Sequence, residues 1–185
     1  LKDAKNNNII DKKKISILLV DDDSSAREST KKCIEYHSYS VTSAESVLQA
    51  LDILNNKSFD IVISDINMPC MSGIDFLKKI NKIDHDLPVI LYSGDVGVDS
   101  AIQAVVNHAF DFIQKPFDLH CLLRSIERAV EHRRLKLIEK QYKKTLEDTV
   151  EKRTFELSEA LNKVNNSNKD LIQRLLMAAE YRDDD

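Results

Sequence analysis

Ile61-Val62-Ile63-Ser64-Asp65-Ile66-Asn67-Met68-Pro69 is the stretch whose reading decides the fold. It opens as a short apolar, β-branched run and ends abruptly in a carboxylate. Strands of a parallel sheet are covered on both faces, so they read as continuous hydrophobics rather than as an alternation. A carboxylate closing such a run is delivered to the C-terminal edge of the sheet, where open α/β folds place their sites. Asp65 is therefore the first candidate site residue, and other strand ends must bring it company.

Three further runs do so. Ile15-Ser16-Ile17-Leu18-Leu19-Val20 is followed by Asp21-Asp22-Asp23, Val89-Ile90-Leu91-Tyr92 by Ser93-Gly94-Asp95, and Phe110-Asp111-Phe112-Ile113-Gln114 by Lys115-Pro116-Phe117. If the strands are parallel and joined by right-handed crossover helices, their C-terminal ends share one edge. Asp21, Asp22, Asp65, Ser93 and Lys115 then converge. Pro116 holds the residue before it extended, which keeps Lys115 at the strand end.

Helical spacing fills the intervals. Ser24 or Ser25 caps a helix through Ala26, Thr30, Cys33 and Ile34. A weak strand at Ser40-Val41-Thr42 precedes a helix through Val47, Leu48, Leu51 and Leu54. Gly73 opens the series Ile74, Phe76, Leu77, Ile80 and Ile83, and Asp99 or Ser100 caps a helix through Ile102, Val105 and Val106. Five strands alternating with helices over about 100 residues predict an α/β domain with a doubly wound five-stranded parallel sheet. The expected strand order is 2-1-3-4-5, with the site at the switch point beside the first and third strands.

Composition limits what the site serves. A chain of 185 residues holds one domain with a sizeable core and something more. A formal charge of −4 without a long basic block gives no reason to expect nucleic acid or an anionic membrane surface as partner. No apolar run approaches the roughly 20 residues that span a bilayer, and no signal-peptide core follows the N-terminus, so the expected compartment is the cytoplasm. Cys33, Cys70 and Cys121 are widely spaced and read as small hydrophobes rather than as a disulfide or zinc framework. His37, His85, His108, His120 and His132 lack ligand spacing and are expected in surface or core. Residues 1–14, polar and rich in Asn and Lys, read as a disordered lead-in, and a chain that opens without Met is read as a fragment.

Beyond Asp118 the character changes. Leu119, Leu122, Leu123, Ile126 and Val130 form a helix able to pack on the domain. Val150, Thr154, Leu157, Leu161, Val164, Asn168, Leu171 and Leu175 then alternate spacings of four and three, the heptad signature of a coiled coil. Leu135, Ile138, Tyr142, Leu146 and Val150 contain consecutive fours, which read as a stutter. A helix from Asp118 to near Tyr181 would be about 95 Å long, and its seam demands a partner, most simply a second copy. Asn168 at an a position would set register.

Clustered carboxylates repel one another by several kcal/mol at close range, for an effective dielectric near 20, and call for a cation. All-oxygen ligands suit Mg²⁺, which keeps several waters and completes its shell with phosphate. A carboxylate beside that cation, with a hydroxyl and an ammonium opposite, is arranged to receive a phosphoryl group, with Asp65 as the in-line nucleophile.

The strings Val20-Asp21-Asp22, Ser64-Asp65-Ile66-Asn67-Met68-Pro69 with Gly73 beyond, Ser93-Gly94 and Lys115-Pro116-Phe117 together resemble the receiver domain of two-component response regulators, with its flavodoxin-like fold. The resemblance spans roughly Ile15 to Val130. It implies Asp65 as the phosphoacceptor, with Mg²⁺ (or Mn²⁺) held by Asp21, Asp22, Asp65 and the main-chain carbonyl of Asn67. Ser93 and Lys115 would bind the phosphoryl group, and Phe112 would be the switch aromatic. A sensor histidine kinase is the implied donor.

The tail is similar to coiled-coil linkers that join receivers to HD-GYP, histidine kinase, GGDEF or phosphatase outputs. From Leu171 it resembles the opening helix of an HD-GYP phosphodiesterase of cyclic di-GMP. The resulting division is 1–14 lead-in, 15–132 receiver, 133–170 linker and 171–185 the start of a truncated output. On that reading this fragment is no hydrolytic enzyme and performs only phosphotransfer and autodephosphorylation. The alternatives are a stand-alone receiver with a helical protein-interaction tail, or a receiver linked to a kinase, GGDEF or phosphatase output. No DNA-binding helix-turn-helix is discernible.

Overall fold

The computed structural model describes residues 15–94 and 98–180. The strands are β1 (Ser16–Val20), β2 (Ser40–Ala44), β3 (Ile61–Asp65), β4 (Val89–Ser93) and β5 (Asp111–Gln114). Between them run α1 (Ser24–Tyr36), α2 (Val47–Asn56), α3 (Gly73–Ile83) and α4 (Val98–Val106), and α5 (Leu119–Glu180) follows β5. All four strand pairings are parallel, in the order β2-β1-β3-β4-β5. The anticipated doubly wound α/β fold with a long C-terminal helix is thus observed. The hydroxyl-rich second strand forms over five residues because β1 pairs with its whole length, from Ser16↔Ser40 to Val20↔Ala44.

Alternation along each strand supplies two cores. Leu18, Val20, Val62 and Leu91 pack with Ala50, Phe76, Leu77 and Ala104 from α2, α3 and α4. Ile17, Leu19, Ile63 and Ile90 pack with Ile34 of α1 and with Leu122, Ile126 and Ala129 of α5. Each fully buried aliphatic side chain contributes about 1.5–3 kcal/mol, so these layers hold the strand ends in fixed register.

Several helix expectations need correction. The cap of α1 is Asp23 rather than Ser24 or Ser25: its carboxylate accepts from the backbone N–H of Ser25 (2.8 Å) and Ala26 (3.2 Å), which holds its pKa below the usual carboxylate value. Helix α4 is described from Val98, with Asp99 and Ser100 already in helical backbone, and the residues just before it lie outside the described ones. Among its described side chains Ala104 is buried, while Ile102, Val105 and Val106 are exposed. Leu48 of α2 and Ile83 of α3 also face outward, since a 3.6-residue period buries only one stripe of each helix. Cys70 and Cys121 are exposed rather than core. The lead-in 1–14, Asp95 and residues 181–185 of the expected output segment lie outside the described residues.

Gly73 opens α3 because nothing larger fits. A Cβ there would overlap the main-chain carbonyl oxygen of Asp65, and the Gly73 N–H bonds Ile66 O at 3.0 Å. Gly73→Ala is expected to cost about 1–3 kcal/mol through overpacking and to displace the end of β3. Chemical denaturation would show the loss as a lower midpoint at unchanged slope.

The chain divides into two compact units, Leu1–Lys136 and Leu137–Asp185. In the first, α5 buries Leu122, Ser125, Ile126, Ala129 and Val130; Ser125 Oγ donates to Asp111 Oδ2 (2.6 Å), and Arg133 Nη2 to Asp84 Oδ2 (2.6 Å). In the second, Val150, Leu157, Leu161, Val164, Leu171 and Leu175 are each between 55% and 62% exposed, a row of apolar side chains open to solvent. No helix among the described residues is long and apolar enough to cross a membrane.

Candidate functional site

The sheet register builds the site. Asp65 stands across from Tyr92, Ser93 across from Gln114, and Val20 across from Ser64. Backbone bonds continue past the ladder, from Ile66 N–H to Tyr92 O (3.0 Å) and from Lys115 N–H to Ser93 O (2.7 Å). The residues after β1, β3, β4 and β5 therefore meet at one edge. The Lys115–Pro116 peptide bond is cis.

Lys115 is the centre of the pocket. Its ammonium lies 2.8 Å from Asp65 Oδ1 and 3.0 Å from Asp21 Oδ2, and 4.2 Å above the ring of Tyr92. Asp21 is 1% exposed and Asp65 5% exposed. Two carboxylates that repel each other are thus held together by one internal cation. Burial alone would lower the lysine pKa, yet its bonds to Asp65 and Asp21 outweigh that and raise it.

The remaining oxygens are committed as well. Asp65 Oδ2 accepts the Asn67 N–H at 2.7 Å, and Asp21 Oδ1 accepts the Asp23 N–H at 2.9 Å. Asn67 Nδ2 donates to the buried Ser93 Oγ at 3.1 Å, so Ser93 is turned toward the loop after β3. Asp22 is exposed beside the pocket. Phe112, half-buried on β5, packs against the core on the α2–α3–α4 side.

Sequence reasoning missed two contributors. Arg27 Nη1 donates to the carbonyl of Asp21 at 2.6 Å, bracing the turn after β1. Tyr92, read only as the last apolar residue of its run, is fully buried and donates its hydroxyl to Asp21 Oδ2 at 2.8 Å. Burial foremost, then the charge of Asp21, pushes its phenol pKa far up, so it is a donor throughout the working pH range. The available signal was a tyrosine in an otherwise aliphatic buried strand, whose hydroxyl must find an acceptor.

Among the described residues, no three His, Cys, Asp or Glu side chains are grouped as a preformed metal site. The donor chemistry nevertheless fits Mg²⁺, a hard cation commonly held by one or two carboxylates and several waters. Asp21 and Asp65 supply buried carboxylate oxygens, and Asp22 supplies an exposed one at the rim.

Comparison with known proteins agrees with this geometry. The response regulator receiver domain model matches residues 17–127. The C4-dicarboxylate transport transcriptional regulatory protein DctD of Rhizobium meliloti (strain 1021) is 41% identical over 109 residues, 59% of this chain and 24% of that protein. A response regulator receiver domain protein from Clostridium thermocellum superposes with a TM-score of 0.63 at 33% identity, covering 65% of this chain and 98% of that one. The signal receiver domain of an HD domain-containing protein from Pseudomonas fluorescens Pf-5 gives a TM-score of 0.63 at 27% identity, covering 66% and 90%. The chain spans about a quarter of the length of the first curated relatives it matches. By the matched span, the strand order and the convergence of these strand ends, the chain belongs to the response regulator receiver domain family.

Proposed function

We propose that Asp65 accepts a phosphoryl group from the phosphohistidine of a sensor kinase. A carboxylate oxygen of Asp65 attacks phosphorus, the P–N bond breaks, and the imidazole leaves with its electron pair. The observation that carries this reading is the single ammonium shared by Asp65 and Asp21. Lys115 is already within reach of the reacting carboxylate and neutralises charge building on the transferring oxygens. Ser93 Oγ, oriented by Asn67, offers a hydroxyl to one of them. Asp21, Asp22, Asp65 and the Asn67 carbonyl would hold Mg²⁺, which supplies charge neutralisation when bound. Phe112, at the edge of one core, would follow Ser93 inward as the switch aromatic. The test is intact-mass measurement after incubation with a small phosphoryl donor: one phosphoryl group is expected with Mg²⁺ present and none with a chelator, and uptake insensitive to chelation would overturn the reading.

The tail is read as a dimerising transmitter. Six seam residues leave their apolar surface in water in a single chain, which is the surface a second copy would cover. Thr154 Oγ1 already donates to Val150 O at 2.8 Å, so its burial in a seam leaves no unpaired hydroxyl. Replacing Leu157 and Leu161 by Lys removes four leucines per dimer, a loss on the order of 6 kcal/mol or more, about 10⁴-fold in association. Light scattering should show the variant as a monomer; an unchanged mass would sink the seam.

The output we favour is an HD-GYP-type phosphodiesterase in the cytoplasm. The heptad tail supports it, as does the likeness to the receiver of an HD domain-containing protein. A second reading, a transcription-regulating output, is favoured by the names of the curated relatives. Reading the frame beyond Asp185 separates the two.

A further inference from the structure

We propose that Tyr92 is a positioning residue whose hydroxyl keeps the Asp21 carboxylate in place when Lys115 is drawn to a phosphoryl group on Asp65. This rests on the reading of Asp65 as phosphoacceptor. Asp21 Oδ2 has two donors, Lys115 Nζ at 3.0 Å and the Tyr92 hydroxyl at 2.8 Å. The lysine is shared with Asp65, whereas the phenol serves Asp21 alone among the bonds described. Phosphorylation replaces the single charge of the Asp65 carboxylate with a phosphoryl group that carries roughly −1.5 to −2 and presents three acceptor oxygens farther out. One ammonium cannot remain centred between the two carboxylates after that addition. Asp21 is almost without solvent, so its Oδ2 then depends on the phenol to stay aimed at the cation position.

The ring is well placed to be this fixed point. Tyr92 lies on β4 across from Asp65, with no exposed surface. Phe117 meets it edge-on at 6.0 Å and 71°. Its face also carries the Lys115 ammonium, so one side chain touches both partners whose pairing must change. Groups that orient a metal-ligating carboxylate typically alter metal affinity 10–100-fold when removed.

The experiment is Mg²⁺ titration by calorimetry on the full chain, wild type and Tyr92→Phe, with and without beryllofluoride as the phosphoryl mimic. Tyr92→Phe keeps the ring beneath Lys115 and removes only the donor. The expected result is a Mg²⁺ dissociation constant raised about 10-fold or more in the beryllofluoride state, and a smaller change without it, where Lys115 still holds Asp21. Equal Mg²⁺ affinity of the two proteins in the beryllofluoride state overturns the role of Tyr92 while leaving the phosphoacceptor reading intact. A wild-type chain that takes up neither Mg²⁺ nor beryllofluoride overturns both. A wild-type measurement guards against a misfolded variant: the ¹³Cζ resonance of Tyr92 should keep its hydrogen-bonded shift when beryllofluoride is added, and loss of that shift overturns the proposal.

Discussion

Asp65→Asn is expected to take up no phosphoryl group under conditions in which the wild-type chain gains one. An amide has no carboxylate oxygen to attack phosphorus, and it presents no formal charge to the Lys115 ammonium that sits 2.8 Å away in the wild type. The neighbouring carboxylates do not substitute. Asp21 lies under Lys115 and Tyr92 with both oxygens engaged, and Asp22 is exposed at the rim. Intact mass after treatment with a small phosphoryl donor checks the loss. Hydroxylamine, which cleaves acyl phosphates, should strip the wild-type label. A label that persists in the Asn variant would mean that another side chain accepts the group. The variant should keep its fold, because the strand that carries Asp65 is held by packing on both faces rather than by the carboxylate.

Lys115→Ala is expected to affect both chemistry and stability. Removing one preorganised donor to developing charge costs about 10²–10³ in rate, and that is the expected slowing of phosphoryl uptake. It also leaves Asp21 and Asp65 buried together without their shared cation. Breaking a buried pair costs roughly 3–5 kcal/mol; the lysine side chain retains 26% of its exposure, which places the expected loss near the lower end. If Mg²⁺ binds as proposed, it should replace the missing charge and stabilise by about 2.7 kcal/mol at a hundredfold excess over its dissociation constant. Melting in chelator and in Mg²⁺ therefore separates the proteins: the variant should gain more from Mg²⁺ than the wild type. Equal gains would refute the idea that Lys115 stands in for part of the metal's charge.

The pH dependence of that effect has a definite sign. The folded-state pKa of Lys115 is raised, so its contribution is complete below the unfolded value of about 10.4 and is lost as pH rises through the folded one. On the lysine's account, the stability gap between wild type and Lys115→Ala should be flat from pH 6 to 9.

Much of the fold was legible because buried parallel strands announce themselves. The runs Leu18 to Val20 and Ile61 to Ile63 are apolar without interruption; the first meets Asp21 directly and the second reaches Asp65 through Ser64, at the sheet edge. Helix faces were less legible. Ile102, Val105 and Val106 are more hydrophobic than Ala104, yet Ala104 is the residue against the sheet, since close approach of the helix selects for small size as well as apolarity. The cap at Asp23 escaped notice for a local reason: three consecutive aspartates differ only in backbone geometry, and an extended conformation with ψ of 110° decides which one meets the Ser25 and Ala26 N–H groups.

By itself the sequence determined which strand ends carry chemistry. Polar residues cannot interrupt doubly covered strands without cost, so Asp21, Asp65, Ser93 and Lys115 had to fall at the termini and hence at one edge. Only the tertiary structure decided how they are connected. Lys115 lies 50 residues from Asp65 and 94 from Asp21, and the shared ammonium arises from the β1-β3-β4-β5 order and register. The same holds for the Tyr92 hydroxyl, which reaches Asp21 across 71 residues because β1 and β4 flank β3 and end at the same edge of the sheet. Hydrogen bonds between residues so distant in sequence carry no local signature. They are set by the packing that fixes the strands, and that packing is a property of the whole domain.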